Sequence, residues 1–387
     1  MTTVLFNSHD IVLLVVFYIC FLFALIALFS RRKSDSTHLF LGFFLLSQAA
    51  ISAYTLTLYG DTFNAWSVKH VPAIFALLES ALWLEGPLLL LYVRSALYQQ
   101  LHFKKHDFLL LLPLIIYGIV LIVVKITSAA EQTSDFLVFL RSDYVQYYEH
   151  LRNIARASFG VWALITIRGY QNNLAQAYAN PESVNYAWLK LLVSGYILLR
   201  LWTEGYLVLY TLVSALLPSA TLALIDFNLL GIIENYGQLL LVSALLFFAL
   251  SDPRNILRVN SEVLESLTKK ENVKTYTAEQ VERVTKHMEA TRPYLDNQLK
   301  IDDLAQQVSL SPKLLSNLIN REFDINFFEY INSYRLKEVS SYLSNSEMDD
   351  QSIIELAFLA GYNSKSSFNR LFKLDTGKTP SQFRKER

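Results

Sequence analysis

The chain has 387 residues, 53% of them hydrophobic and 18% charged, with 34 basic residues balancing 34 acidic ones. That balance lies outside ordinary soluble usage, in which about a quarter of residues are charged, and it points to a membrane protein. One cysteine, Cys20 inside an apolar run, excludes a disulfide framework and a cysteine metal cage and reads as packing.

A helix must be about 20 residues long to cross about 30 Å of hydrocarbon. Seven apolar runs approach that length: residues 10–30, 39–59, 72–93, 108–127, 150–167, 187–212 and 229–250. The fifth, which contains LRNIARASFGVWALITI, is the least apolar because Arg152 and Arg156 interrupt it. A signal peptide would place its cations before the first apolar run, but here they follow it, so the first run is expected to be retained.

Basic residues accumulate in alternate loops. Arg31, Arg32 and Lys33 follow the first run, Arg94, Lys104 and Lys105 the third, and Arg168 the fifth, with Lys190 at the start of the sixth. The intervening loops hold Lys69 alone, or Lys125 and Arg141 diluted by Glu131, Asp135 and Asp143. The positive-inside rule then puts the N-terminus outside and the residues after the seventh run in the cytoplasm, as expected of a multi-pass protein of the inner membrane.

Within these runs, Glu79, Arg156, Arg200, Glu204 and Glu234 fall at similar depths in the outer half of the bilayer, counting about 1.5 Å per residue. A charge buried there costs at least about 2.5 kcal/mol, so these residues should face one another or a wet cavity. Arg200 and Glu204 stand one turn apart and can pair. Two readings stay open: a structural salt-bridge network, or a polar pocket binding a small amphipathic or cationic signal or sensing protons.

Composition changes abruptly after Asp252 and Pro253. Residues 253–276 read as a connecting helix with Ile256, Val259, Val263 and Leu267 in one stripe, able to pair with a second copy or to pack on its own domain. In the sequence IDDLAQQVSLSPKLLSNLINREF, a short helix with Leu304, Ala305 and Val308 inward precedes a turn. Ser311 then caps a second helix with Pro312 at its first position. Leu315, Leu318 and Ile319 face inward there, leaving Lys313, Ser316, Asn317 and Asn320 exposed, which is a helix-turn-helix pattern.

The pattern recurs in IIELAFLAGYNSKSSFNRLFKLDTGKTP, with Ala357 and Gly361 in the places of Ala305 and Ser309. Phe368, Leu371 and Phe372 take the places of Leu315, Leu318 and Ile319, and Ser364 is the cap. Between the units, FFEYINSYRLKEVSSYLSN suits one linking helix of about four to five turns. After Gly361, seven cations (Lys365, Arg370, Lys373, Lys378, Arg384, Lys385 and Arg387) face only Asp375 and Glu386, a local surplus suited to phosphates.

The segments RPYLDNQLKIDDLA, FFEYINSYRLKEV and IIELAFLAGYNSKSSFNRLFKLDTGKTPSQFRK resemble the AraC/XylS type of bacterial transcription regulators. Ala357, Gly361, Phe368, Phe372, Lys373, Gly377, Thr379 and Pro380 carry the most specific part of the likeness. The resemblance implies two recognition helices reading successive major-groove faces of double-stranded promoter DNA. It implies base or phosphate contacts from Lys313, Ser316 and Asn317 in the first unit and from Lys365, Ser366, Ser367 and Arg370 in the second. The chain departs from the family's pattern at Asn317, where arginine is frequent, and at Ser309, where glycine is common. It departs most in carrying apolar runs where relatives have a soluble effector-binding domain.

The expected architecture is therefore all-α. A seven-helix transmembrane sensor occupies residues 1–252, a connecting segment residues 253–276, and a cytoplasmic domain of two helix-turn-helix units joined by a long helix residues 277–387. No histidine pair, serine or aspartate constellation suggests an enzyme, and no cofactor or metal is expected. A transporter-like sensor is the alternative, though no inverted repeat is visible. Expected partners are promoter DNA, membrane lipid, a small-molecule or proton signal, and a second copy in a homodimer.

Overall fold

The computed structural model describes residues 7–29, 36–98, 105–127, 135–140, 142, 144–181, 186–216, 228–251 and 276–386. Among these, every regular element is helical. The loop cations Arg31, Arg32, Lys33 and Lys104 and the stripe Ile256, Val259, Val263 and Leu267 lie outside the described residues. The chain divides into two compact units, residues 1–167 with 185–259, and residues 168–184 with 260–387. The second unit thus includes a stretch, 168–184, that the sequence-based boundaries assign elsewhere.

In the first unit, α1 (Ser8–Phe29), α2 (Thr37–Tyr59), α4 (Ile74–Leu97), α8 (Ala187–Leu216) and the Leu229–Phe248 part of α9 (Asn228–Ser251) are long and apolar enough to cross a bilayer. Between them lie α3 (Asp61–His70), α5 (Leu112–Thr127), α6 (Asp135–Phe139) and the start of α7 (Val145–Ala177). Seven spans were expected, and five helices meet the length and composition. The 16-residue α5 reaches only about 24 Å, short of the hydrocarbon thickness. The 33-residue α7 is long enough but carries Arg152 and Arg156, and hydropathy cannot register that these charges are paired within the fold.

Helices α1, α8 and α9 bury a minority of their residues and leave broad apolar faces outward, whereas α2 and α4 are more than half buried. On α1, Val16, Cys20 and Ala24 recur every fourth residue and pack with Leu45 and Ala49 of α2 and Val242 of α9. Ile11, Tyr18, Leu22 and Ile26 of the same helix are exposed. An outer face this apolar is suited to lipid, where no hydrophobic force drives helices together and small residues allow close packing. Gly86 on α4 does the same at a second seam: a Cβ there would lie 2.9 Å from the Phe159 Cβ of α7. That close approach brings the α7 arginines within reach of α4.

The second unit contains α10 (Ala278–Thr291), α11 (Ile301–Gln307), α12 (Pro312–Glu322), α13 (Phe327–Ser344), α14 (Ile353–Leu359), α15 (Lys365–Thr376) and α16 (Pro380–Lys385). The linking helix α13 forms as its spacing predicts, with Asn326 and Glu329 closing a capping box at its start. One core cluster joins Leu336, Val339 and Leu343 of α13 to Leu356 and Ala357 of α14 and Phe368 and Phe372 of α15. Phe368 and Phe372 are fully buried, as their helical spacing requires.

Candidate nucleic-acid interface

Each helix-turn-helix unit is built by the same local devices. In the first, Ser309 takes φ 56°, the Leu310 N–H donates to the Ala305 carbonyl at 2.9 Å, and Ser311 Oγ accepts the Leu314 N–H at 3.3 Å. In the second, Gly361 takes φ 91°, the Tyr362 N–H donates to the Ala357 carbonyl at 3.1 Å, and Ser364 Oγ accepts the Ser367 N–H at 3.3 Å. The left-handed residue reverses the chain, the backbone bond closes the first helix, and the serine satisfies an orphan donor of the second. The second turn is one residue longer, since Ser309 stands two positions before its cap and Gly361 three.

Ser309 adopts the left-handed conformation despite its side chain, so the turn keeps the geometry the glycine-containing pattern has. Gly361 has no alternative. A Cβ there would lie 2.4 Å from the Tyr294 carbonyl oxygen and 2.9 Å from Arg335 Nε.

On α15, Lys365, Ser366 and Arg370 are exposed, together with Asn369 and Lys373. Asn369 was not among the expected contacts, although it stands four residues from Lys365 and three from Ser366 and so shares their face. On α12, Lys313, Asn317 and Asn320 are partly exposed. Two of the residues expected to contact DNA are buried. Ser316 is 6% exposed and Ser367 8%. Ser316 sits beside Leu315 on the helix arc that buries Leu315 and Ile319, and its hydroxyl accepts a bond from Asn320 Nδ2 at 3.4 Å. Ser367 is at the third helical position, next to buried Phe368, with its backbone N–H tied to the cap. The expectation that Ser316 faces outward is therefore corrected: the inward arc of each recognition helix is wider than an alternation of three apolar positions suggests.

Of the two readings left open for the charges within the apolar runs, a salt-bridge network or a polar pocket, the first unit shows the charges paired. Arg152 binds Glu79, which also accepts from Tyr148 Oη at 2.8 Å. Arg156 Nε donates to Glu85 Oε1 at 2.6 Å, and Gln48 and Tyr196 donate to the same carboxylate at 3.1 Å each. Arg200 Nη1 lies 2.9 Å from Glu234 and 3.8 Å from Glu85. Glu204 meets His150 Nδ1 at 2.7 Å, so Arg200 and Glu204 turn to other partners rather than to each other. Glu85 and Arg152 also belong to the set; at about 1.5 Å per residue Glu85 lies about 9 Å deeper than Glu79, so depth alone did not single it out. A void of about 20 Å³ lies beside Arg200, lined by Gln48, Tyr196 and Gln238 among others, enough for one water. Among the described residues no group of three or more His, Cys, Asp or Glu is placed to hold a metal.

Residues 304–386 match the helix-turn-helix domain family. The melibiose operon regulatory protein of Escherichia coli is 32% identical over 90 residues, covering 23% of this chain and 29% of the relative. The Msm operon regulatory protein of Streptococcus mutans is 32% identical over 88 residues, covering 23% and 31%. The arabinose operon regulatory protein of Escherichia coli is 32% identical over 89 residues, covering 23% and 30%. The chain thus spans about a third or less of the length of these curated relatives. No solved structure matches it. Residues 304–386 of this chain thus match a helix-turn-helix domain and are similar to the corresponding part of these regulators, and the described residues upstream include five long apolar helices.

Proposed function

We propose that the chain is a membrane-anchored one-component transcription regulator that senses a signal through its apolar unit and binds promoter DNA sequence-specifically through α12 and α15. The observation that carries this reading is the exposed face Lys365, Ser366, Asn369 and Arg370 on a capped helix of a paired helix-turn-helix unit. An exposed polar helix of this kind fits a major groove, where bases are read by side-chain donors and phosphates by cations. Lys313, Asn317, Lys365, Ser366 and Arg370 are the proposed contacts. Ser316 and Ser367 shape the helices from behind.

In this reading the apolar unit crosses the inner membrane seven times, with the N-terminus outside and the DNA-binding domain in the cytoplasm, and two copies act together on paired sites. The short α5 crosses where the bilayer thins locally around it, and α7 crosses because Glu79 and Glu85 neutralise its arginines. The signal enters at the buried cluster of Glu79, Arg156, Arg200, Glu204 and Glu234, with Glu85 and Arg152 as members of the same set. Arg200, shared unequally between Glu234 and Glu85, is the group a proton or small cation would redistribute. The DNA reading is tested with the full chain in lipid nanodiscs, selecting duplexes from a random pool. Enrichment of one sequence by the wild type, lost in a Lys365→Ala, Arg370→Ala double variant, supports it; equal enrichment by both would remove this face from the interface.

A further inference from the structure

Arg335 of α13 is fully buried, yet its hydrogen-bond acceptors are neutral oxygens. Nε donates to the Tyr294 carbonyl at 2.7 Å, Nη2 to the Asp296 carbonyl at 2.9 Å, and Nη1 to the Ala179 carbonyl at 3.3 Å and Asn180 Oδ1 at 3.0 Å. Burial lowers its pKa to about 10, which still leaves a cation at neutral pH. A buried cation is tolerated only where its donors are met, and both acceptors of Nη1 come from a stretch more than a hundred residues upstream in the chain.

That stretch follows α7 directly and is held at further points. Tyr178 forms an isolated antiparallel bridge with Lys300, and the Ala179 N–H donates to the Leu299 carbonyl at 3.1 Å. Asn180 Nδ2 donates to the Asn297 carbonyl at 2.7 Å and to the Gly361 carbonyl at 3.4 Å. Lys300 is the cap of α11, at the entrance of the first helix-turn-helix unit, and Gly361 is the turn of the second. Ala179 is fully buried and Asn180 nearly so. Three consecutive residues therefore touch the start of one DNA-reading unit, the turn of the other, and the arginine of the helix between them.

We propose that residues 178–180 are a strap that clamps the two helix-turn-helix units in one relation and passes on to them the movement of α7, so that seating or lifting it sets the spacing of the two recognition helices. The inference rests on the regulator reading above. Because α7 ends at Ala177 and α8 begins at Ala187, the strap belongs to a short connection between two helices that both enter the apolar unit. A rotation or slide of either helix acts on it without needing the segment 253–275. Seated, the strap favours the relation that fits DNA; lifted, it leaves Arg335 short of acceptors and the two units free to separate.

The test uses the full chain in membranes. With Ala179 N–H bonded to the Leu299 carbonyl, Tyr178 and Lys300 form the closer, non-hydrogen-bonded type of antiparallel pair, at a separation a disulfide can span. Tyr178→Cys with Lys300→Cys should close an intramolecular disulfide under mild oxidation; the native Cys20 is buried and stays out of the exchange. On the duplex selected by the wild type, Asn180→Ala should bind about tenfold more weakly, as expected from losing a few hydrogen bonds, and should tolerate altered spacing between the two half-sites. Adding the oxidised crosslink to Asn180→Ala should restore affinity and spacing, which a misfolded variant cannot show. Failure of the disulfide to form overturns the docking. A formed disulfide with unchanged affinity and spacing in Asn180→Ala overturns the coupling. If the wild type selects no duplex, the regulator reading and the coupling fall together, while the crosslink still decides the docking.

Discussion

Arg156 Nε lies 2.6 Å from Glu85 Oε1, and both side chains are almost fully buried between α4 and α7. Two charges removed from water hold only as a pair, and removing one partner leaves the other uncompensated, at about 3 to 5 kcal/mol. Glu85→Ala and Arg156→Ala should each sharply reduce the amount of folded protein in membranes. The double variant Glu85→Met, Arg156→Met should be closer to wild type than either. Detergent-solubilised melting curves give the comparison; additive losses would show that the pair is not a coupled unit.

The signal cluster is expected to separate abundance from output. Glu204→Gln and Glu234→Gln, made singly at the partly exposed carboxylates, should leave normal membrane levels with reporter output locked high or low, whereas Glu79→Gln strands buried Arg152 and should lower the level as Glu85→Ala does. Output that falls only in step with protein level would make the cluster structural.

A fusion series should distinguish seven crossings from five. A reporter active only outside the cytoplasm should be active after Tyr59 or Leu216 and silent after Lys105 or Arg258, whichever number holds. The informative position is Ser134, between α5 and α7: active there if both helices cross, silent if neither does. Activity at Arg258 would place the DNA-binding domain away from any DNA and refute the regulator reading.

At the two turns, opposite substitutions should have opposite signs. Gly361→Ala forces a Cβ into the Tyr294 carbonyl at a positive φ and should destabilise the second unit by about 3 kcal/mol or more. Ser309→Gly relieves a left-handed non-glycine residue and should stabilise by up to about 1 kcal/mol, less the added freedom of the unfolded chain. Thermal unfolding reads both.

DNA binding should divide the recognition-helix residues by exposure. Arg370→Ala should weaken binding and reduce the salt slope by about one unit if it meets a phosphate. Lys365→Ala should cost about 1 to 3 kcal/mol of discrimination if it reads a base. Ser316→Ala and Ser367→Ala should leave affinity within about twofold, because both residues are buried. Phe372→Ala should act by a different route, emptying an aromatic core site and unfolding the unit at about 3 to 5 kcal/mol. Titrations at several salt concentrations, paired with melting curves, separate the two routes.

Much of this protein follows from local rules that a sequence states directly. Apolar run lengths mark out helices α1, α2, α4, α8 and α9, because spanning lipid is a length and composition requirement. The spacing of Leu315, Leu318 and Ile319, and of Phe368, Leu371 and Phe372, together with the caps Ser311 and Ser364, determines both recognition helices, because period and capping act within a few residues. What depends on distant partners needed the tertiary structure. Arg152 and Arg156 read as interruptions of an apolar run until Glu79 and Glu85 stand opposite them, and Ser316 reads as exposed until the fold shows how wide an arc is covered. The seat of Ala179 and Asn180 on Arg335 was least legible of all. Its bonds run largely through backbone carbonyls, which every residue carries and no sequence pattern distinguishes, so only the folded chain decides which of them meet.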